Sequence, residues 1–98
     1  MSYSIYLGDK KGFSITYNLY PIISKYFGEK SIRVIYGMTG IESQNLLHEF
    51  VKYLIENHEE LSELNPANGW GSLAELIGIA SIMAYETIKH PMEIWEGD

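Results

Sequence analysis

Tyr3, Ile5 and Leu7 alternate with Ser4, Tyr6 and Gly8, and the stretch F-S-I-T-Y-N alternates again from Phe13. A period of two marks strands with one buried face. Between them Asp9-Lys10-Lys11-Gly12 has turn composition, so residues 2–17 predict a hairpin. The period then changes. Pro21 suits a first helical turn and Gly28 a helix end, which makes P-I-I-S-K-Y-F a short helix. S-I-R-V-I-Y-G is β-branched and reads as a third strand or an extended connection. Thr39-Gly40-Ile41-Glu42 has capping-box spacing, and the helix that follows puts Leu47, Phe50, Val51, Leu54 and Ile55 on one face until Asn57.

E-E-L-S-E-L reads as a short polar turn of helix or a frayed tail. Ser72-Leu73-Ala74-Glu75 repeats the capping-box spacing and opens a last helix, which runs to about Lys89 and stops at Pro91. Its middle, I-G-I-A-S-I-M-A-Y, is apolar nearly all round and rich in small residues, a pattern expected of a helix buried on more than one side or lying at a subunit interface. M-E-I-W-E-G alternates once more and is expected to return as a strand beside the hairpin. The expectation is therefore a single α+β domain over residues 1–98. A small antiparallel sheet, made of the N-terminal hairpin and the C-terminal strand, carries two main helices and one short helix on one face. The surplus of apolar helix surface around Gly78, Ala80, Ser81 and Ala84 also predicts a homo-oligomer, with this helix or the sheet edge at the interface.

Composition narrows the chemistry. At 46% apolar and 20% charged residues the 98-residue chain has the balance of an ordinary globular protein. It has no cysteine, which removes disulfides and thiolate metal sites and suits a reducing cytoplasm, the expected location. No basic-then-apolar leader is seen, and the longest apolar run is well short of the roughly 20 residues of a membrane span. The net charge of −6 is divided unevenly. Residues 1–40 carry five cations against two anions, +3, while residues 41–98 carry Lys52 and Lys89 against ten Glu and Asp98, −9. Such an acidic half is either a solvated helix face or a surface for a basic partner, and it lacks the basic stripe that nucleic acid requires.

Candidate chemistry concentrates in N-P-A-N-G-W-G-S, Asn65 to Ser72. Gly69-Trp70-Gly71-Ser72-Leu73-Ala74 matches G-x-G-x-x-A before a helix, but no strand precedes it, so it is not a dinucleotide fingerprint. The helix start can hold an anion on its free N–H groups, unless Ser72 already caps them. Asn65 before Pro66 is placed to fix the loop through an Asx-type bond, and Asn68-Gly69 is a turn signal. Trp70 is expected to anchor the loop in the core while the polar rim binds. His48, His58 and His90 form no H-E-x-x-H, and no nucleophile elbow or P-loop occurs. No metal, no cofactor and no catalytic activity is expected. The eight tyrosines serve the core or supply flat recognition surface. Tyr17, Asn18 and Tyr20 stand at a strand-to-helix junction suited to ligand contact.

Thr16-Tyr17-Asn18 with Pro21, Gly37-Met38-Thr39-Gly40, the N-P-A-N-G-W-G run and His90-Pro91 occur in an order that resembles a family of small proteins carried by phages, prophages, plasmids and their hosts. The family pattern is roughly T-x-N, then N-P-x-N-G-W-G, a final helix and His-Pro before a last strand, and the likeness spans most of the chain. The family often sets an aromatic and an acid right after G-W-G, where this chain has Leu73 and Ala74 before Glu75, so the carry-over stops at Ser72. The resemblance implies a mobile-element setting and an antagonist of host defence in the host cytoplasm. Three readings follow. One is a binding protein that sequesters a small nucleotide-type ligand through Thr16, Tyr17, Asn18, Tyr20, Asn68, Trp70 and Ser72, with Lys25 or Arg33 offsetting phosphate charge. Another is an acidic inhibitor of a basic host protein such as a nuclease. The third is a phage structural or assembly subunit. The first is preferred, because acidic helices are common.

Overall fold

The computed structural model describes residues 1–98. Strands β1 (Ser2–Leu7) and β2 (Lys11–Thr16) form the antiparallel hairpin, and β3 (Trp95–Gly97) pairs antiparallel with the other side of β1, giving the order β2-β1-β3. Register decides the faces. Tyr3 lies opposite Ile15, Ile5 between Phe13 and Gly97, and Leu7 opposite Trp95, so these side chains share the inner face. Ser2, Ser4, Ser14 and Tyr6 lie on the outer one. Four helices follow the hairpin: α1 (Tyr20–Phe27), α2 (Gly40–Glu56), the short α3 (His58–Ser62) and α4 (Leu73–Lys89). The architecture is α+β, a small sheet with several helices. Nineteen buried apolar side chains form one cluster that joins the inner face of the sheet to the helices.

S-I-R-V-I-Y-G is not a strand. Ser31–Ile35 forms a 3₁₀ turn. Ile32 and Ile35 are both fully buried, and a separation of three residues brings two side chains to the same side of a 3₁₀ helix but to opposite sides of a strand. Ser31, at φ 59°, accepts a hydrogen bond from the Tyr3 hydroxyl at 3.0 Å and so ties the turn to β1. The extended segment that does continue the sheet comes next. Gly37 N–H donates to Trp95 O, Trp95 N–H to Met38 O and Gly40 N–H to Glu93 O, each within 2.9 Å. That segment covers the β3 edge and leaves β2 as the open one.

Trp95 fills the place expected of Trp70. It is fully buried, and its indole N–H donates to Ser43 Oγ at 2.8 Å, while Ser43 Oγ–H donates to Gly40 O at 3.0 Å. Helix α2 starts with the complete capping box, Glu42 N–H to Thr39 Oγ1 at 3.2 Å and Thr39 N–H to Glu42 Oε1 at 2.8 Å. At Ser72 only half of that arrangement forms, Glu75 N–H to Ser72 Oγ at 3.1 Å. Helices α2 and α4 run antiparallel, since Gly40 lies against the carbonyls of Thr87 and His90 with no room for a Cβ. Helix α4 is buried on one side only, through Leu76, Ala80, Met83, Ala84 and Thr87, whereas Gly78, Ser81, Ile82, Tyr85 and Ile88 are exposed. Its apolar surplus is therefore an open face and not a second buried one. No helix is long and apolar enough to cross a membrane.

Candidate binding site

Two segments some fifty residues apart meet at one end of the molecule. Thr16 ends β2, and its Oγ1 accepts from Asn18 N–H at 3.3 Å, which turns the chain into the 3₁₀ turn Tyr17–Leu19. Asn18 Nδ2 then reaches across and donates to the carbonyl of Trp70 at 3.4 Å. On the other side of the same residue, Trp70 N–H donates to Asn68 Oδ1 at 2.9 Å. The two amide side chains thus hold the main chain of Trp70 from both ends. Gly71, at φ +95°, lets the loop lie directly on the hairpin, where a Cβ would approach Thr16 Cγ2 within 2.7 Å. Asn65 closes the loop by accepting from Leu73 N–H at 2.8 Å. With Ser72 on Glu75 N–H, two donors of the α4 N-terminus are already used, which reduces what the helix start can offer an anion.

The Trp70 ring is 72% exposed. It does not anchor the loop in the core; Asn18, Asn68, Asn65 and the Gly71 contact hold the loop, and the indole stands clear of it. Of the residues named from the sequence, Thr16, Asn18, Asn68, Trp70 and Ser72 belong to this knuckle. Tyr17 does not face outward from it: its ring meets the Tyr3 ring edge-on at 4.7 Å, and its hydroxyl accepts from Arg33 Nη2 at 3.3 Å. Tyr20 is 39% exposed, but its hydroxyl donates to Glu29 O at 3.2 Å and braces α1. Of the two cations expected to meet a phosphate, Arg33 is committed to groups of the chain itself. Arg33 also donates to Asp98 O at 2.7 Å and lies 4.7 Å above the Tyr3 ring. Lys25 borders a small hollow with Glu60, Leu61 and Glu63. Asn65–Ser72 itself carries no charge.

No concavity forms at the knuckle. The largest lies elsewhere, an open groove of about 540 Å³ between α2 and α4, floored by Val51, Ile55, Ala84, Tyr85 and Ile88 and bordered by His48, Lys52, Glu56 and Ser81. The 3-4 spacing predicts Val51 and Ile55 on the buried face of α2, but they sit at its margin, and Ile55 is 55% exposed. The signal available was the exposed side of α4, whose apolar positions 82, 85 and 88 continue past the stripe the core uses. A second hollow of about 500 Å³ adjoins the groove at the α2–α3 corner, lined by Glu56, Glu59 and Glu60 with Asn57 and His58. No three His, Asp or Glu side chains converge as a metal site would require.

One buried polar atom has no partner, the hydroxyl of Tyr36, which lies against Gly97. Burial first, then the negative charge of Asp98, raises its pKa. It belongs to the packing of β3. Compared with models of protein families, with curated proteins and with solved structures, the chain matches none.

Proposed function

We propose that this chain is a non-enzymatic binding protein whose contact face is the Asn18–Asn68–Trp70 knuckle, and that it holds a flat, nucleobase-like group of a small ligand. The observation that carries this is Trp70, a ring 72% exposed on a loop clamped from both sides of that residue. An indole carried on a main chain already held in place is a stacking platform that has less backbone entropy to lose on binding. The amide ends of Asn18 and Asn68 not engaged with Trp70 supply an acceptor and a donor beside it, the complement of a base edge. Within Asn65–Ser72 there is no acid or base, and the one hydroxyl, Ser72, is held by the α4 cap, which favours binding over catalysis. Because the surface is uncharged and open, recognition rests on the base and not on the phosphates. The resemblance to mobile-element proteins gives the setting, sequestration of a nucleotide-type signal of host defence.

The two tryptophans make the test direct, since Trp95 is buried and Trp70 is not. Titration with a panel of mono-, di- and cyclic nucleotides is expected to quench Trp70 emission. Asn18→Ala and Asn68→Ala are expected to keep the fold and weaken binding by about ten-fold or more each. A panel that leaves Trp70 fluorescence unchanged, read against Trp70→Phe as the blank, refutes the reading. A second reading, an acidic inhibitor of a basic protein, is favoured by Glu56, Glu59 and Glu60, which share one hollow and pair with no cation of the chain.

A further inference from the structure

We infer that the α2–α4 groove is the seat of a second copy of this chain, packed about a two-fold axis that crosses α2 between Lys52 and Glu56. Three observations carry it. The first is the apolar floor: Ile55, Tyr85 and Ile88 are each more than half exposed in one groove, and Ile82 continues the surface along α4. Gly78 and Ser81, small and exposed on the same side of α4, let another helix approach closely. A contiguous apolar face of this kind marks an interaction site.

The second is the charge pattern along the groove. His48 and Lys52 stand on the part of α2 nearer its N-terminus, while Glu56 leads into the Glu59–Glu60 corner at the other end. Lys52 and Glu56 are four residues apart, yet they make no ion pair with each other or with any other residue. Laying one α2 antiparallel on another about that axis sets Lys52 against the partner's Glu56 and Glu56 against the partner's Lys52. The same operation turns the basic end of each groove toward the acidic end of the other. An interface in which the same patch meets itself must be complementary under the two-fold, and this one is. A foreign amphipathic segment with only basic residues would meet Lys52 as a like charge.

The third concerns the alternative edge. Strand β2 is the open side of the sheet, but it starts beside Lys10 and at Lys11, and inserted lysines discourage edge-to-edge pairing. On the helix face the exposed Lys52 has Glu56 one turn away to answer it across the two-fold.

The test is a charge-reversal exchange on the whole chain, read by light scattering and native mass spectrometry at micromolar concentration. The wild-type protein is expected at twice 11.2 kDa. Lys52→Glu and Glu56→Lys, both at exposed positions, place like charges across the axis twice over. Each alone is expected to weaken the dimer by about a hundred-fold while circular dichroism stays unchanged. Mixed in equal amounts they are expected to recover a mixed dimer, because an all-Glu face then meets an all-Lys one. Tyr85→Arg, which blocks the groove without touching that pair, is expected to give a monomer with no rescue on mixing. A monomeric wild type, a dimer indifferent to the single reversals, or a mixture that stays monomeric each overturns the inference. Capture of an unrelated basic peptide with the protein remaining monomeric does so as well.

Discussion

The two tryptophans divide the work of the molecule between them. Trp95 is surrounded, tilts toward the Phe13 ring at a centroid distance of 6.0 Å and spends its N–H on Ser43. Removing it opens a cavity under the sheet and leaves the Ser43 hydroxyl short of a donor. Trp95→Ala is therefore expected to cost about 3–5 kcal/mol, measured by urea denaturation. Trp70→Ala removes a ring that the fold does not use. Its cost is expected within about 0.5 kcal/mol, the range of ordinary surface substitutions. A large loss for Trp70→Ala with a small one for Trp95→Ala would reverse this assignment. Loop rigidity resides instead in Asn65, Asn68, Asn18 and Gly71, residues whose contribution is hydrogen bonding and close approach, not burial.

At the scale of elements, helix α2 depends on the reciprocal cap between Thr39 and Glu42. Hydrogen bonding from the Thr39 backbone first, then from its side chain, lowers the Glu42 pKa against a small opposing effect of desolvation. A carboxylate whose folded pKa lies below its unfolded one stabilises fully above the unfolded value, and that stabilisation is lost as pH falls through the folded value. Glu42→Gln keeps a neutral acceptor in place but removes the titration. Its acid limb in a stability-against-pH profile is expected to be shallower than that of the wild type, with the two curves parallel at neutral pH. An unchanged acid limb would mean that the cap is not ionic. This cap was plain in the sequence because its spacing is local, and so were the hairpin, both long helices and the returning strand. The 3₁₀ turn at Ser31–Ile35 was not. Its composition is that of a strand, and what decides otherwise is the burial of Ile32 together with Ile35, a tertiary fact. The knuckle was half legible. Its residues were named, but the hydrogen bond from Asn18 to Trp70 joins positions whose distance no local pattern encodes. The exposure of Trp70 and burial of Trp95 are illegible for the same reason: turn chemistry around Trp70 says that the chain bends, not where the ring points.

For the molecule as a whole, the last seven residues close the structure. Through β3, Leu7 meets Trp95 and Ile5 meets Gly97. On the far side, Gly37, Met38 and Gly40 bond to the same segment. Arg33 reaches Asp98 O while lying over the Tyr3 ring. The final strand is thus held by the first strand, by the connection into α2 and by the turn before it, so removing it disturbs all three at once. The hairpin left behind keeps its helices but loses its third strand, and the loss of Trp95 alone takes about 3–5 kcal/mol from a domain stability that is typically about 5–15 kcal/mol. Deleting residues 92–98 is expected to lower the denaturation midpoint sharply or to leave the chain unfolded, followed by far-UV circular dichroism. The same coupling predicts one transition for the intact chain. In a Trp70→Phe background the emission of Trp95 reports the closure of the sheet, and far-UV ellipticity reports mainly the helices. Coincident urea curves are expected, because β3 binds the start of α2 through Trp95 and Ser43. Two separate transitions, or a truncated chain that melts as the whole one does, would show that the helices stand without the strand.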